Sequence, residues 1–293
     1  MPEVSNIEPD RLKSYSSAFS RHVFVEILRY NDFRHIDWLY DKYDRQYNAI
    51  ESYGEYFEYM YDALADNYRC EYVYKNELID KVLFRFLNRH TMMKTAAFNE
   101  FKVGNSIADL VLFNGEARAY EIKSDLDSSK RLSKQLYDYK KVFDRCYVVV
   151  PETKYSHYLE MTDEETGIIV LYRKKGRSIV LKEMRPAIKN QHIDGGLMMK
   201  CLHTNEYERI ISNRFGKLPD VPGYMMYDAC QELMKTIPES ELKRFFREAV
   251  KSRTNNFVRL CQLPYELRQI CLSLGLKERD VYILISRMNN KIN

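Results

Sequence analysis

The sequence predicts an α/β protein: a mixed sheet flanked by helices, with helical regions before and after it. Three observations carry this expectation. Two apolar strands meet at Asn114-Gly115, a dipeptide suited to a tight hairpin. A segment of helical period then leads into the continuous apolar run Arg145–Val150, and strand–helix–strand order makes a parallel pair through a right-handed crossover. Apolar residues up to His90 and beyond Pro186 recur at helical rather than strand spacing.

In chain order, residues 10 to about 66 read as three helical segments. Asp10 can cap the first, which carries Phe19, Val23, Ile27 and Leu28; the others run from Asp32 to about Tyr47 and from Tyr53 to about Tyr68. Their aromatic stripes suit a core or an interface. A further helix is expected from Lys75 to His90, on the stripe Leu78, Ile79, Val82, Leu83, Phe86 and Leu87. Strands follow at Ala97–Val103, Ser106–Phe113 and Ala117–Ser124, then a helix capped by Asp127 or Ser128 and ending near Val142. A short helix spans Tyr155–Met161, and strands Gly167–Tyr172 and Ser178–Glu183 flank an Arg-Lys-Lys-Gly-Arg turn. Beyond Pro186 helices are expected at about 197–213, 225–236, 239–252 and 264–273, with another from Lys277; Pro219, Pro222 and Gly223 form the clearest linker. The expected division is a helical lead-in at 1–70, a core at 71–186 and a helical region at 187–293.

Composition narrows the function classes. The 293 residues are 45% hydrophobic and 30% charged, which excludes a disordered chain. A net charge of +4 permits a nucleic-acid partner without demanding one. No basic region followed by an apolar core opens the chain, and no run of about 18 apolar residues occurs, so a cytoplasmic protein without a membrane span is expected. The six cysteines show no C-x-x-C pair, which favours reduced thiols over zinc or a disulfide framework.

The chemistry concentrates in Asn105–Arg131, where Asp109 interrupts one apolar strand and Glu121-Ile122-Lys123 ends the next. Charges in such strands are costly unless paired or used. The hairpin loop decides whether they meet. A two-residue turn would pair Phe113 with Glu116 and send Glu121 to the other face; a longer loop with Gly115 left-handed pairs Phe113 with Ala117 and sets Asp109 across from Glu121. In the second register a hard ion, Mg²⁺ or Mn²⁺, would reconcile the two carboxylates, with the Ile122 carbonyl as a further ligand. Lys123 would stabilise phosphate charge or position water. The competing structural account is a Glu–Lys pair at a strand end with Asp109 capping a turn.

Taken together, I-A-D-L-V-L-F, A-Y-E-I-K-S-D, a helix with Arg131, Gln135 and Tyr139, and C-Y-V-V-V resemble the PD-(D/E)XK nuclease superfamily, in particular bacterial proteins with this core and a helical tail. The resemblance covers roughly Asn76 to Pro186. It implies a restriction-endonuclease-like fold and a metal-dependent endonuclease, a hydrolase acting on DNA, from a core used in defence, repair and mobile-element functions alike. Asp109 is then the motif acid, and Glu121 and Lys123 the acid-x-lysine. Glu77 matches the acid of the preceding helix, which the helix dipole also explains. Gln135 and Tyr139 match a Q-x-x-x-Y pattern beside the active site or the DNA backbone. One departure is Ala108, where the motif has proline.

Arg131 and His157 are further nucleic-acid candidates, His157 equally suited to a plain surface position. Asp125 could extend the metal site. Arg173, Lys174, Lys175 and Arg177 could grip a backbone or simply solvate a turn. Lys243, Arg244, Arg247, Lys251 and Arg253 could bind nucleic acid or balance nearby acids. A second functional class is a catalytically silent nucleic-acid- or protein-binding module that keeps the fold. The N-terminal helices could also carry an oligomer or partner interface.

Overall fold

The computed structural model describes residues 7–47, 49–68, 70–82, 95–125, 127–173, 179–254 and 257–292. Among the described residues five helices come first: α1 Pro9–Ala18, α2 Arg21–Tyr30, α3 Arg34–Tyr43, α4 Tyr53–Asn67 and α5 Glu71–Asp80. The first expected segment breaks in two because the Ser20 hydroxyl caps α2, accepting from the Val23 N–H. Ser52 caps α4 in the same way, and Glu55 returns a bond to the Glu51 N–H. Leu83, Phe86 and Leu87 of the expected Lys75–His90 helix lie outside the described residues.

Six strands form one mixed sheet in sequence order: β1 Ala96–Val103, β2 Ser106–Asn114, β3 Glu116–Ile122, β4 Arg145–Pro151, β5 Gly167–Arg173 and β6 Ile179–Arg185. The first three are antiparallel, β3–β4–β5 are parallel, and β6 returns antiparallel. Helix α6 (Leu132–Lys140) makes the β3–β4 crossover and α7 (Tyr155–Met161) precedes β5. The expected cap at Asp127 or Ser128 is corrected. Asp127 accepts from the Ser124 N–H and hydroxyl, closing a turn of its own, so the helix begins only at Leu132.

The remaining helices are α8 Gly195–Lys200, α9 Thr204–Phe215, α10 Met226–Thr236, α11 Glu239–Lys251, α12 Phe257–Gln262, α13 Arg268–Leu274 and α14 Glu278–Met288. They divide between the two faces of the sheet. One apolar core joins Val111, Phe113, Ala119, Val148 and Val150 to α6 and α8–α11. The other joins Leu110, Leu112, Ile122, Val149 and Leu171 to α1–α5, and it includes Leu260, Ile270, Leu284 and Met288. The end of the chain therefore packs with its beginning. Ser52 bridges to Lys291, the Tyr53 N–H donates to the Asn290 carbonyl and the Ile292 N–H to that of Glu51. Order along the chain separates 1–70 from 187–293, whereas packing interleaves them around the sheet. Among the described residues no helix is long and apolar enough to cross a membrane.

Candidate functional site

The β2–β3 hairpin sets the site's register. Gly115 takes φ +72 at its tip, Asn114 faces Glu116 and Phe113 pairs with Ala117, the register that a shared site needs. The ladder, however, stops at Leu110–Tyr120, one pair short of Asp109–Glu121. The β1–β2 ladder shows the matching interruption. Asn99–Leu110 and Phe101–Ala108 pair, while Glu100, opposite Asp109, adopts φ +53, a conformation that costs a non-glycine residue energy. The expected direct ladder pairing of Asp109 with Glu121 is thus corrected. Where the strands part, the side chain of Asp109 takes over the ladder's role, its Oδ2 accepting from the Ile122 N–H at 2.7 Å.

Around this fork five more side chains converge. Lys123 Nζ donates to Glu121 Oε1 at 2.8 Å and to Gln135 Oε1 at 3.3 Å. The Tyr139 hydroxyl lies 2.8 Å from Glu121 Oε2 and also 2.5 Å from the Ile107 carbonyl. On the other side, Lys75 Nζ is 3.4 Å from Asp109 Oδ1 and 2.7 Å from Glu71, one helical turn before it on α5. Lys75 is only 5% exposed and Glu121 2%. Burial raises Asp109 against the opposing pull of Lys75 and the Ile122 N–H. Burial, then the charge of Asp109, lifts Glu121 to about 6 although Lys123 and Tyr139 favour its ionised form. Burial works against the Lys75 ammonium, but Asp109 and Glu71 outweigh it and raise its pKa.

Two expectations for this site change. Glu77 does not join the cluster. Its carboxylate accepts from the hydroxyls of Tyr61, at 2.9 Å, and Tyr265, with Lys81 3.7 Å away. Two residues on a helix are about 200° apart, so when Lys75 faces the sheet Glu77 faces the terminal helices. Tyr139, expected beside the active site or at the DNA backbone, is fully buried and holds Glu121, which leaves no surface for a backbone contact. Lys75 and Glu71 were not singled out from the sequence; their i, i+4 spacing was visible, but nothing local shows that they face Asp109.

The other candidates lie apart from the cluster. Arg131 is exposed at the start of α6, and His157 is exposed on α7 with its ring against Tyr158. Asp125 accepts from Thr153 at 3.5 Å and, through its carbonyl, from Lys154. Lys174, Lys175 and Arg177 lie outside the described residues. Most of the C-terminal basic cluster faces acids. Lys243 and Arg247 flank buried Asp144 at 3.7 and 3.6 Å, Arg253 pairs with Glu206 at 2.6 Å, and Arg244 approaches Glu241 at 3.9 Å.

Tyr139→Phe tests how Glu121 is held. Removing a hydrogen bond given to the ionised carboxylate should move Glu121 above about 6 and leave the fold intact. A carboxyl ¹³C NMR titration reads the change; an unmoved titration would contradict the assigned contact.

As a metal site the cluster offers two carboxylates and the Ile122 carbonyl. Among the described residues no three His, Cys, Asp or Glu side chains gather closely enough to hold an ion. Mg²⁺ nevertheless binds through one or two carboxylates, completing its shell with water and substrate phosphate. A carboxylate raised by burial and then by its neighbour's charge is chemically suited to a divalent cation.

Protein cII of Enterobacteria phage P4 is 34% identical over 174 residues, a match spanning 58% of this chain and 64% of that relative, under two thirds of its length. A protein of unknown function from Silicibacter pomeroyi, of solved structure, covers 41% of this chain and 80% of its own at 17% identity; its TM-score of 0.28 carries no argument. The family model for bacteriophage P4 protein cII matches residues 64–265, which include the whole sheet and every residue of the cluster. The chain belongs to the bacteriophage P4 protein cII family.

Proposed function

We propose that the protein is a metal-dependent nuclease with a restriction-endonuclease-like core of the PD-(D/E)XK type, hydrolysing phosphodiester bonds of DNA. The carrying observation is the convergence of Asp109, Glu121 and Lys123 at the fork of β2 and β3, with Gln135 on Lys123. Asp109, Glu121 and the Ile122 carbonyl would hold Mg²⁺ or Mn²⁺, which when bound supplies Lewis-acid stabilisation of the phosphate. The chain's own groups do the rest. Tyr139 fixes one oxygen of Glu121 and Lys123 the other, so the carboxylate is oriented before substrate arrives. Gln135 holds the Lys123 ammonium beside it, a cation placed to stabilise negative charge developing on phosphate oxygens. Water adds its oxygen to phosphorus, the bond to the leaving oxygen breaks, and that oxygen takes up a proton.

One observation favours a second reading, a silent nucleic-acid-binding module. Lys75, which Glu71 shares, lies against Asp109 and Lys123 against Glu121, so both carboxylates have a cationic partner without a metal. Incubation with single- and double-stranded DNA and RNA, in Mg²⁺, Mn²⁺ or EDTA, separates the two. Cutting that EDTA abolishes is expected; binding without cutting in either metal would favour the silent module.

A further inference from the structure

The basic residues adjacent in sequence mostly face acids, whereas three lysines distant in sequence gather in one cleft. A cavity of about 430 Å³ opens between the β1–β2 turn, α6 and α8, lined by Lys102, Asn105, Lys134, Lys200 and Tyr227 among others. All three lysines are exposed, and among the described residues none has an acid within 4 Å. Elsewhere Lys140 is shared by Asp163 and Glu165, and Lys235 pairs with Glu232. Asp138 also lines the cleft, its carboxylate accepting from the Ser106 hydroxyl at 2.6 Å. That bond ties α6 to the start of β2.

The cleft is built rather than incidental. Gly104 takes φ +59 in the turn, and a side-chain carbon there would come within 2.9 Å of Leu197, so α8 seats directly against the hairpin. Lys200, at the end of α8, is thereby brought toward Lys102 on β1 and Lys134 on α6. Lys134 directly precedes Gln135, which holds Lys123, and Arg131 is one turn back along the same exposed side. Along β2, Ser106 is three residues from Asp109, roughly 10 Å at strand rise. One phosphodiester strand can span both places.

We propose that this cleft is a nucleic-acid backbone subsite, in which Lys102, Lys134 and Lys200 hold phosphates of the DNA strand that continues past Asp109 and Glu121. It deepens the nuclease reading and rests on it for the direction of the strand. Its test is a binding measurement, kept separate from cutting. In a Glu121→Gln background, anisotropy of a fluorescein-labelled 30-base-pair duplex and of the matching single strand is followed against salt. The combined Lys102→Ala, Lys134→Ala and Lys200→Ala variant is compared with Lys13→Ala, Lys217→Ala and Lys277→Ala, exposed lysines outside the cleft.

Three lost phosphate contacts should lower the slope of log affinity against log salt by about 2.7 on duplex, or about 2.1 on single strand. Affinity near 0.1 M salt should fall roughly tenfold or more, with circular dichroism and Tm unchanged. Equal affinity and slope, equal loss in the control triple, or no DNA binding by the parent would each overturn the subsite. If the cleft variant loses binding while the wild-type protein never cuts, the subsite stands and the nuclease reading falls.

Discussion

Glu121→Gln should lose both metal uptake and DNA cleavage, whereas Lys123→Met should keep uptake and lose cleavage. The two residues touch through one 2.8 Å bond, yet the nuclease reading gives them different tasks. Glu121 contributes a carboxylate whose pKa of about 6 reflects burial and then the charge of Asp109; the amide keeps its shape and removes its charge. Lys123 contributes a cation near the reacting phosphate, and such a group contributes about 10²–10³ in rate. Calorimetric titration with Mn²⁺ measures uptake, and cleavage of a labelled duplex measures rate. Equal retention of cleavage in both variants would remove the site. Loss of uptake in Lys123→Met would return it to the silent cluster. The acid dependence follows the same logic: metal uptake needs ionised Glu121, so it should weaken as pH falls through about 6.

Asp44→Ala should be the most destabilising single change among the N-terminal helices. Asp44 follows α3 and is fully buried. Its Oδ1 accepts from Arg11, and its Oδ2 from the hydroxyls of Tyr15 at 2.7 Å and Tyr56 at 2.6 Å. Alanine would leave a largely buried guanidinium without its acid and two buried hydroxyls without their acceptor. Removing one partner of a buried ion pair costs about 3–5 kcal/mol. Chemical denaturation should show that loss, with Asp44→Asn intermediate because the amide oxygen still accepts. A loss below about 1 kcal/mol would mean that solvent or neighbouring groups replace the carboxylate. The abundance of tyrosine thus has a structural use: its hydroxyls satisfy buried carboxylates, at Asp44 here and at Glu77 between α4, α5 and the segment before α13.

Local pattern was enough for the mixed sheet, for the antiparallel hairpin with Gly115 at its tip, and for the parallel pair across α6. Asp109, Glu121 and Lys123 were legible because charges in apolar strands stand out against their neighbours. Strand parity, a property of one hairpin, then limited them to two registers.

The helices were legible as elements but not in their facing. Lys75, Asn76 and Glu77 are three consecutive buried polar residues; Lys75 serves Asp109, while Asn76 and Glu77 bond Tyr61 and the chain around Tyr265. A helix packed on several sides has no polar face to read, so Glu77 was a candidate only through its match to the acid of the preceding helix in the family pattern. Clustering in sequence likewise pointed to the basic run at 243–253, where Asp144, Glu206 and Glu241 lie opposite, and passed over Lys102, Lys134 and Lys200. The sequence by itself determined the secondary structure that brings the acids and the lysine to adjacent strands, because pleat and turn act over a few residues. Only the tertiary structure decided the fork at Glu100 and Asp109, the arrival of Lys75 and the grouping of the basic cleft. Those depend on which elements meet across the sheet, and the pairing of distant surfaces leaves no mark in local spacing.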